Sequence, residues 1–211
     1  MNAGKKVFIM LLAAVAAVIT FLSACTKDLT ENVSEIRRGY FCAEDDVMTV
    51  TVVSGMREQN YVADGVAGEL VPYTLVTVAP KAFDPDATYT YTVSANGASY
   101  GGNMKVHPFA ASFSAEVAAE LSGEITVTVN DREYKPADMT ASSVSFDKAI
   151  DAAKTALKPE DGYEVRARMI KNPIGDGLCW HVAYYFRSGK QSGVLLDPVD
   201  LNTLAKKSDQ T

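Results

Sequence analysis

The chain has 211 residues, of which 47% are hydrophobic and 22% charged, with a formal net charge of −6. That is apolar content enough for one or two packed cores, and the acidic balance argues against nucleic acid as a partner. Three cysteines and two histidines are too few for a disulfide scaffold or a finger-like metal site.

The N-terminus reads Met1-Asn2-Ala3-Gly4-Lys5-Lys6 and then runs through apolar and small residues from position 7 to 21. A charged n-region before an apolar h-region is an export signal. It ends in Leu22-Ser23-Ala24-Cys25, which resembles the lipobox of bacterial lipoproteins. The resemblance implies cleavage before Cys25 and fatty acylation, of the palmitate kind, on that cysteine. The membrane is then the first partner, and the body faces outward from a cell membrane or outer membrane. Two or three acyl chains hold stably where one is marginal, because each buried methylene adds about 0.8 kcal/mol. Residues 1–24 are thus expected to be a signal peptide and residues 25–33 a lipidated tether. Their loss takes the formal charge from 20 − 26 = −6 to 18 − 26 = −8, since residues 1–24 hold two lysines and no acid.

Residues 34–139 alternate β-branched or aromatic residues with threonine. The clearest runs are 47–53, 73–78, 88–93 and 125–129, with further strands expected at 38–42 and 108–117. Period two with this composition marks half-buried strands. Asp64-Gly65, Asp84-Pro85-Asp86, Asn96-Gly97, Gly101-Gly102-Asn103, Ser122-Gly123 and Asn130-Asp131 supply turn chemistry between them. About seven strands in roughly a hundred residues is the count of an antiparallel β-sandwich. The rhythm resembles the immunoglobulin-like sandwiches of bacterial surface proteins.

The period changes after Met139. Phe146, Ala149, Ile150, Ala153 and Leu157 fall on one stripe of an amphipathic helix, with Ser145 as N-cap and Lys158-Pro159 as the stop. Strands follow at 163–169, 178–186 and 193–197, and residues 202–207 read as a short closing helix. The fold class expected is mainly β plus α+β, with residues 140–211 forming a small helix-on-antiparallel-sheet unit. Charge supports a boundary here: residues 25–139 carry eight basic and seventeen acidic side chains, net −9, and residues 140–211 carry ten and nine, net +1. The alanine-rich helix, Trp180, the turn glycine Gly189 and Val194-Leu195-Leu196-Asp197 make this part similar to the PepSY-type, cystatin-like units of exported bacterial proteins. That resemblance implies binding, including inhibition or regulation of an exported peptidase, more than catalysis.

Catalytic chemistry is thin in the sequence. Cys179 and His181 share one face of a strand, but no third group is in view to orient them, and no phosphate loop, zinc-protease helix or serine elbow occurs. Glu44-Asp45-Asp46 and Asp84-Pro85-Asp86 sit at turns, where acids are common without any calcium. No catalytic residue, metal or cofactor is assigned. Trp180, Tyr184 and Phe186 are expected in the core, leaving His181 and Tyr185 as an exposed ligand-contact surface. The function expected is a non-enzymatic, membrane-anchored envelope lipoprotein that binds or displays a protein or polymer partner; an envelope hydrolase is the remaining alternative.

Overall fold

The structure, a computed structural model, describes residues 32–160 and 162–208. The expected signal segment and lipobox, with Cys25, lie outside the described residues. The threonine-alternating runs form β1 (Val33–Glu44), β2 (Met48–Glu58), β3 (Leu70–Pro80), β4 (Thr90–Ala95), β5 (Ala98–Asn103), β6 (Lys105–Val106), β7 (Phe113–Val117), β8 (Ile125–Val129), β9 (Arg132–Tyr134) and β10 (Ala137–Asp138). Helix α1 (Phe146–Leu157) and strands β11 (Tyr163–Lys171), β12 (Leu178–Phe186), β13 (Gln191–Leu196) and β14 (Thr203–Ser208) complete the chain.

The fold is mainly β, in two antiparallel-rich sheets consistent with a β-sandwich. One has ten strands in the order β14-β13-β12-β11-β1-β2-β3-β7-β6, with β10 also on β1; the other has four, β5-β4-β8-β9. Among the described strands the one parallel pair is β1 with β11. The four-stranded sheet covers part of the large one. Val50, Val52, Val76, Val78 and Phe113 from one side meet Tyr91, Val93, Ile125, Val127 and Val129 from the other in a dry core. Two buried hydroxyls are satisfied inside it: Ser54 donates to the Leu121 carbonyl at 2.7 Å, and Thr74 donates to the Ala119 carbonyl at 2.7 Å.

A second core forms where Ala149, Ile150, Ala153 and Leu157 of α1 meet Val165, Ala167, Met169, Trp180, Val182 and Tyr184. Trp180 is 2% exposed, and its indole N–H donates to the Val144 carbonyl at 3.2 Å, so the ring is both packed and satisfied. Ser145 occupies the N-cap position but makes no capping bond. Its hydroxyl instead serves Asp147, whose carboxyl it holds below the ordinary value.

Strand β1 serves both cores. Val33 and Ile36 enter the helix-covered core and Phe41 the sandwich core, with register shifts between Val33 and Glu35 and between Arg37 and Gly39. At the second shift the chains run so close that a Cβ on Gly55 would lie 1.9 Å from the Ile36 carbonyl oxygen. Only glycine fits there. Ile36 stands opposite Met56, which shares its side of β2 with Val52 and Val50. Helix α1 and the small sheet therefore cover the same side of the large sheet, and its sheet hydrogen bonding runs unbroken past residue 139.

Three local expectations are corrected. Gly101-Gly102-Asn103 is not a turn but part of β5, paired with Tyr91 and its neighbours; Asn96 and Gly97, at φ 51° and 79°, already reverse the chain. Residues 108–112, expected as the start of a strand, form a loop, since Pro108 has no N–H for a ladder. Residues 202–207, expected as a closing helix, are instead strand from Thr203 onward. The Asp197 carboxylate accepts the N–H groups of Val199 and Asp200, Leu201 takes φ 62°, and the chain folds back so that β14 pairs with β13.

Candidate functional site

The side of the large sheet away from α1 and the small sheet carries the polar half of each alternation. Because Val165, Ala167 and Met169 point to the helix, Glu164, Arg166 and Arg168 point the other way, and likewise Cys179, His181, Ala183 and Tyr185 of β12. β1 adds Glu35 and Arg37, which neighbour Arg166 and Arg168 in the parallel register. Residues 59–69, between β2 and β3, fold over this side and bring Tyr61 onto it.

Glu35 is the hub. It is 1% exposed and accepts hydrogen bonds from the Tyr73 hydroxyl at 2.6 Å, from Arg37 at 3.1 Å and from the Tyr61 hydroxyl. Arg168 Nε lies 3.7 Å from its other oxygen. Burial alone would push the Glu35 carboxyl up, but Arg37, the two hydroxyls and Arg168 together hold it below the ordinary carboxylate value. The same arrangement raises both phenols, burial first and Glu35 next for Tyr61, which is pushed up to about 12.

Arg166 is the second hub. Its guanidinium contacts Glu164 at 2.7 Å, Glu58 at 3.3 Å and the Ser34 hydroxyl at 3.2 Å. It also stands 4.0 Å from the ring centre of Tyr61 and 4.7 Å from that of Tyr185. Glu58 in turn accepts the N–H groups of Val62 and Gly68, fastening the 59–69 loop to the sheet. Glu164 is fully buried, and desolvation with Glu58 nearby outweighs Arg166 to raise its carboxyl.

His181 joins this network to open space. Arg168 Nη2 lies 3.1 Å from its Nδ1. A guanidinium can only donate, so Nδ1 is the acceptor and the ring proton sits on Nε2. Burial and the Arg168 charge push the imidazole down to about 4, keeping it neutral near pH 7. The Nε2 edge leans toward β13, where a Cβ on Gly193 would be 3.4 Å from it.

A groove of about 470 Å³ opens at this point, across β12, β13 and β14. Its floor is low because Ala183, Gly193 and Ala205 have little or no side chain, while His181 and Tyr185 rise on the β12 side and Lys206 and Lys207 belong to the β14 side. The two contact residues expected from the sequence, His181 and Tyr185, are both among the groove residues. Cys179 is buried, its thiol pushed up by desolvation, and it and Cys42 are separate free thiols. The thiol is thus protonated and the imidazole already engaged, which is the reverse of an activated cysteine pair. Asp45 and Asp84, weighed as calcium ligands, accept backbone N–H groups of their own turns. Among the described residues no group of three or more histidines, cysteines or acids stands together as a metal site.

Sequence reasoning missed Glu35, Tyr61, Tyr73, Arg166, Arg168 and Gly193 as parts of this face. The alternation Glu35-Ile36-Arg37 and Arg166-Ala167-Arg168 was the available signal, but only the pairing of β1 with β11 makes it one cluster. No family model matches this chain. No curated protein and no solved structure matches it either. The functional reading therefore rests on the residues themselves.

Proposed function

We propose that this is a non-enzymatic lipoprotein of the bacterial envelope, held by acyl chains on Cys25, that binds a protein or polymer partner through the groove between β12 and β14. The observation that carries the reading is the groove itself: a concave, largely apolar trough on the uncovered side of the sheet, backed by a rigid charge network that fixes the orientation of His181. A site prepared in this way holds a donor N–H and an aromatic wall in place before a partner arrives. The order α1-β11-β12-β13-β14, closing on a short strand, supports reading residues 140–211 as PepSY-like, and the two facing sheets support an immunoglobulin-like relation for residues 34–139. On either scaffold the function is carried by the site, here the groove.

The test compares the full chain with Gly193→Leu, which fills the trough where an added Cβ meets only ordinary contacts. Immobilised wild type is expected to retain an envelope component from detergent-solubilised membranes that the variant, with an unchanged near-ultraviolet spectrum, releases. Equal retention by both removes the groove from the account. Labelling with a fatty acid analogue is expected to mark the wild type and not Cys25→Ala.

A further inference from the structure

We infer that residues 59–69 are a hinged strap closing one end of the groove, latched by Tyr61, and that lifting it extends the groove from β12 across β11 to β1. This rests on the binding role proposed for the same groove and adds how its length is controlled.

β2 and β3 stay paired as far as Glu58 opposite Leu70, where a short turn would join them, yet the chain uses all of residues 59–69 for the connection. Those residues fold back over the polar side. The Tyr61 hydroxyl donates to Glu35 on β1, and the Tyr61 ring lies 4.0 Å from the Arg166 guanidinium on β11. Gly65 reaches the end of β12, where an added Cβ would stand 2.4 Å from the Arg187 nitrogen. Only glycine seats that closely at φ 79°. The segment therefore crosses β1 and β11 and stops where the groove begins, since the other neighbour of Arg166, at 4.7 Å, is the groove residue Tyr185.

What holds the strap down is limited. None of its side chains enters either core, and Val62 and Val66 are 54% and 49% exposed. Its shape is kept by bonds of its own, from Gln59 N–H to the Glu69 carbonyl at 3.0 Å and from Val66 N–H to the Asp64 carboxylate at 2.9 Å, so it can move as a unit. A segment with so few buried apolar contacts opens well below the free energy of global unfolding. Arg166 keeps Glu58 at the sheet, 3.3 Å away, so lifting parts the Val62 and Gly68 N–H groups from that carboxylate. Water offsets the loss. Both Glu164 oxygens and Arg168 Nε are buried without a hydrogen bond of good geometry while the strap is down. Glu35 keeps Tyr73 and Arg37 when Tyr61 leaves, and Arg168 keeps its contact with His181. With the strap down the trough ends at Tyr185; with it up the floor continues over Arg166 and over Glu164, which stands opposite Tyr185 in the β11–β12 register. A partner that fills the longer trough is weakened by the fraction of chains in which the strap is closed.

Native-state hydrogen exchange on the full ¹⁵N-labelled chain in detergent micelles reads the opening at the Val62 and Gly68 amides. Both are expected to exchange through one event with little urea dependence, while amides in the middle of β2 and β12 exchange only with global unfolding. Tyr61→Phe loses the bond to Glu35 and keeps the ring; Gly65→Ala unseats the tip and leaves the charge network untouched. Each is expected to speed exchange at both amides about tenfold with the core amides unchanged. A neutral nitroxide in solution is expected to broaden the Arg166 Nε–H signal more in both variants than in wild type. Strap amides that exchange only on global unfolding, exchange unmoved by either variant, or an Arg166 signal equally shielded in all three chains would each overturn the inference. If one of these is seen while Gly193→Leu still releases the envelope component, the strap fails and the broader binding role stands. Opening as expected, with equal retention by wild type and Gly193→Leu, removes the binding role and not the strap.

Discussion

Replacing Glu35 by alanine strikes the point on which the uncovered face is organised. The carboxylate is 1% exposed and accepts from Tyr73 at 2.6 Å, from Arg37 at 3.1 Å and from Tyr61, with Arg168 at 3.7 Å. Its removal leaves two phenols without their acceptor and two arginines without their counter-charge. Breaking a buried ion pair from one side costs about 3–5 kcal/mol. Arg37 and Arg168 each keep 23% side-chain exposure, so water recovers part of that loss. A destabilisation of about 3 kcal/mol is expected for Glu35→Ala after this discount. Glu35→Gln keeps one acceptor oxygen and is expected to cost about half as much. Urea denaturation followed by circular dichroism, with the midpoint converted through the shared slope, measures both. If Glu35→Ala falls within about 0.5 kcal/mol of wild type, the range of an ordinary surface substitution, the network is solvated and its role in fixing His181 collapses.

Other outcomes follow from the same geometry. Stability should fall between pH 6.5 and 4 because His181, neutral when folded with its value pushed down to about 4, takes up a proton more readily when unfolded; the loss is about 2–3 kcal/mol and should vanish in His181→Gln, as pH-dependent melts will show. Glu35, whose folded value is lowered, adds a further loss at more acidic pH, as its unfolded form takes up protons first. Trp180→Ala should cost about 3–5 kcal/mol, and wild-type fluorescence should be that of a buried indole, shifting to the water-exposed wavelength only on unfolding. Gly55→Ala should fold poorly, read as a drop in melting temperature, since the new methyl meets the Ile36 carbonyl. A fragment of residues 140–211 lacks Val33 and Ile36 and the β1 partner of β11, so its melting should be broad, becoming cooperative when a peptide of residues 32–44 is added.

What was legible in the sequence is what period and turn chemistry encode locally. The helix stripe from Phe146 to Leu157, the inward row of Trp180, Val182 and Tyr184, and the hairpins at Asn96-Gly97 and Asn130-Asp131 all have short-range signatures, and the structure places them as expected. Pairings between distant segments have none. Nothing near residue 35 announces that Glu35 will lie beside Arg166, because a parallel pair carries no turn to mark it. The same holds for Gly193, which reads as an ordinary small residue until Ala183 is known to stand opposite it on β12. The closing strand was misread as helix because Leu201 reverses the chain at a positive φ that only the Asp197 turn explains.

The binding role of the groove is tested most directly in cells. A photo-cross-linking residue at Gln191, an exposed groove position, can be compared with one at Thr92, exposed on the outer face of the small sheet. Irradiation should yield a discrete adduct from position 191, lost in a Gly193→Leu background, and none from position 92. Adducts that form equally from both positions, or from 92 alone, would contradict the assignment of this face as the binding surface.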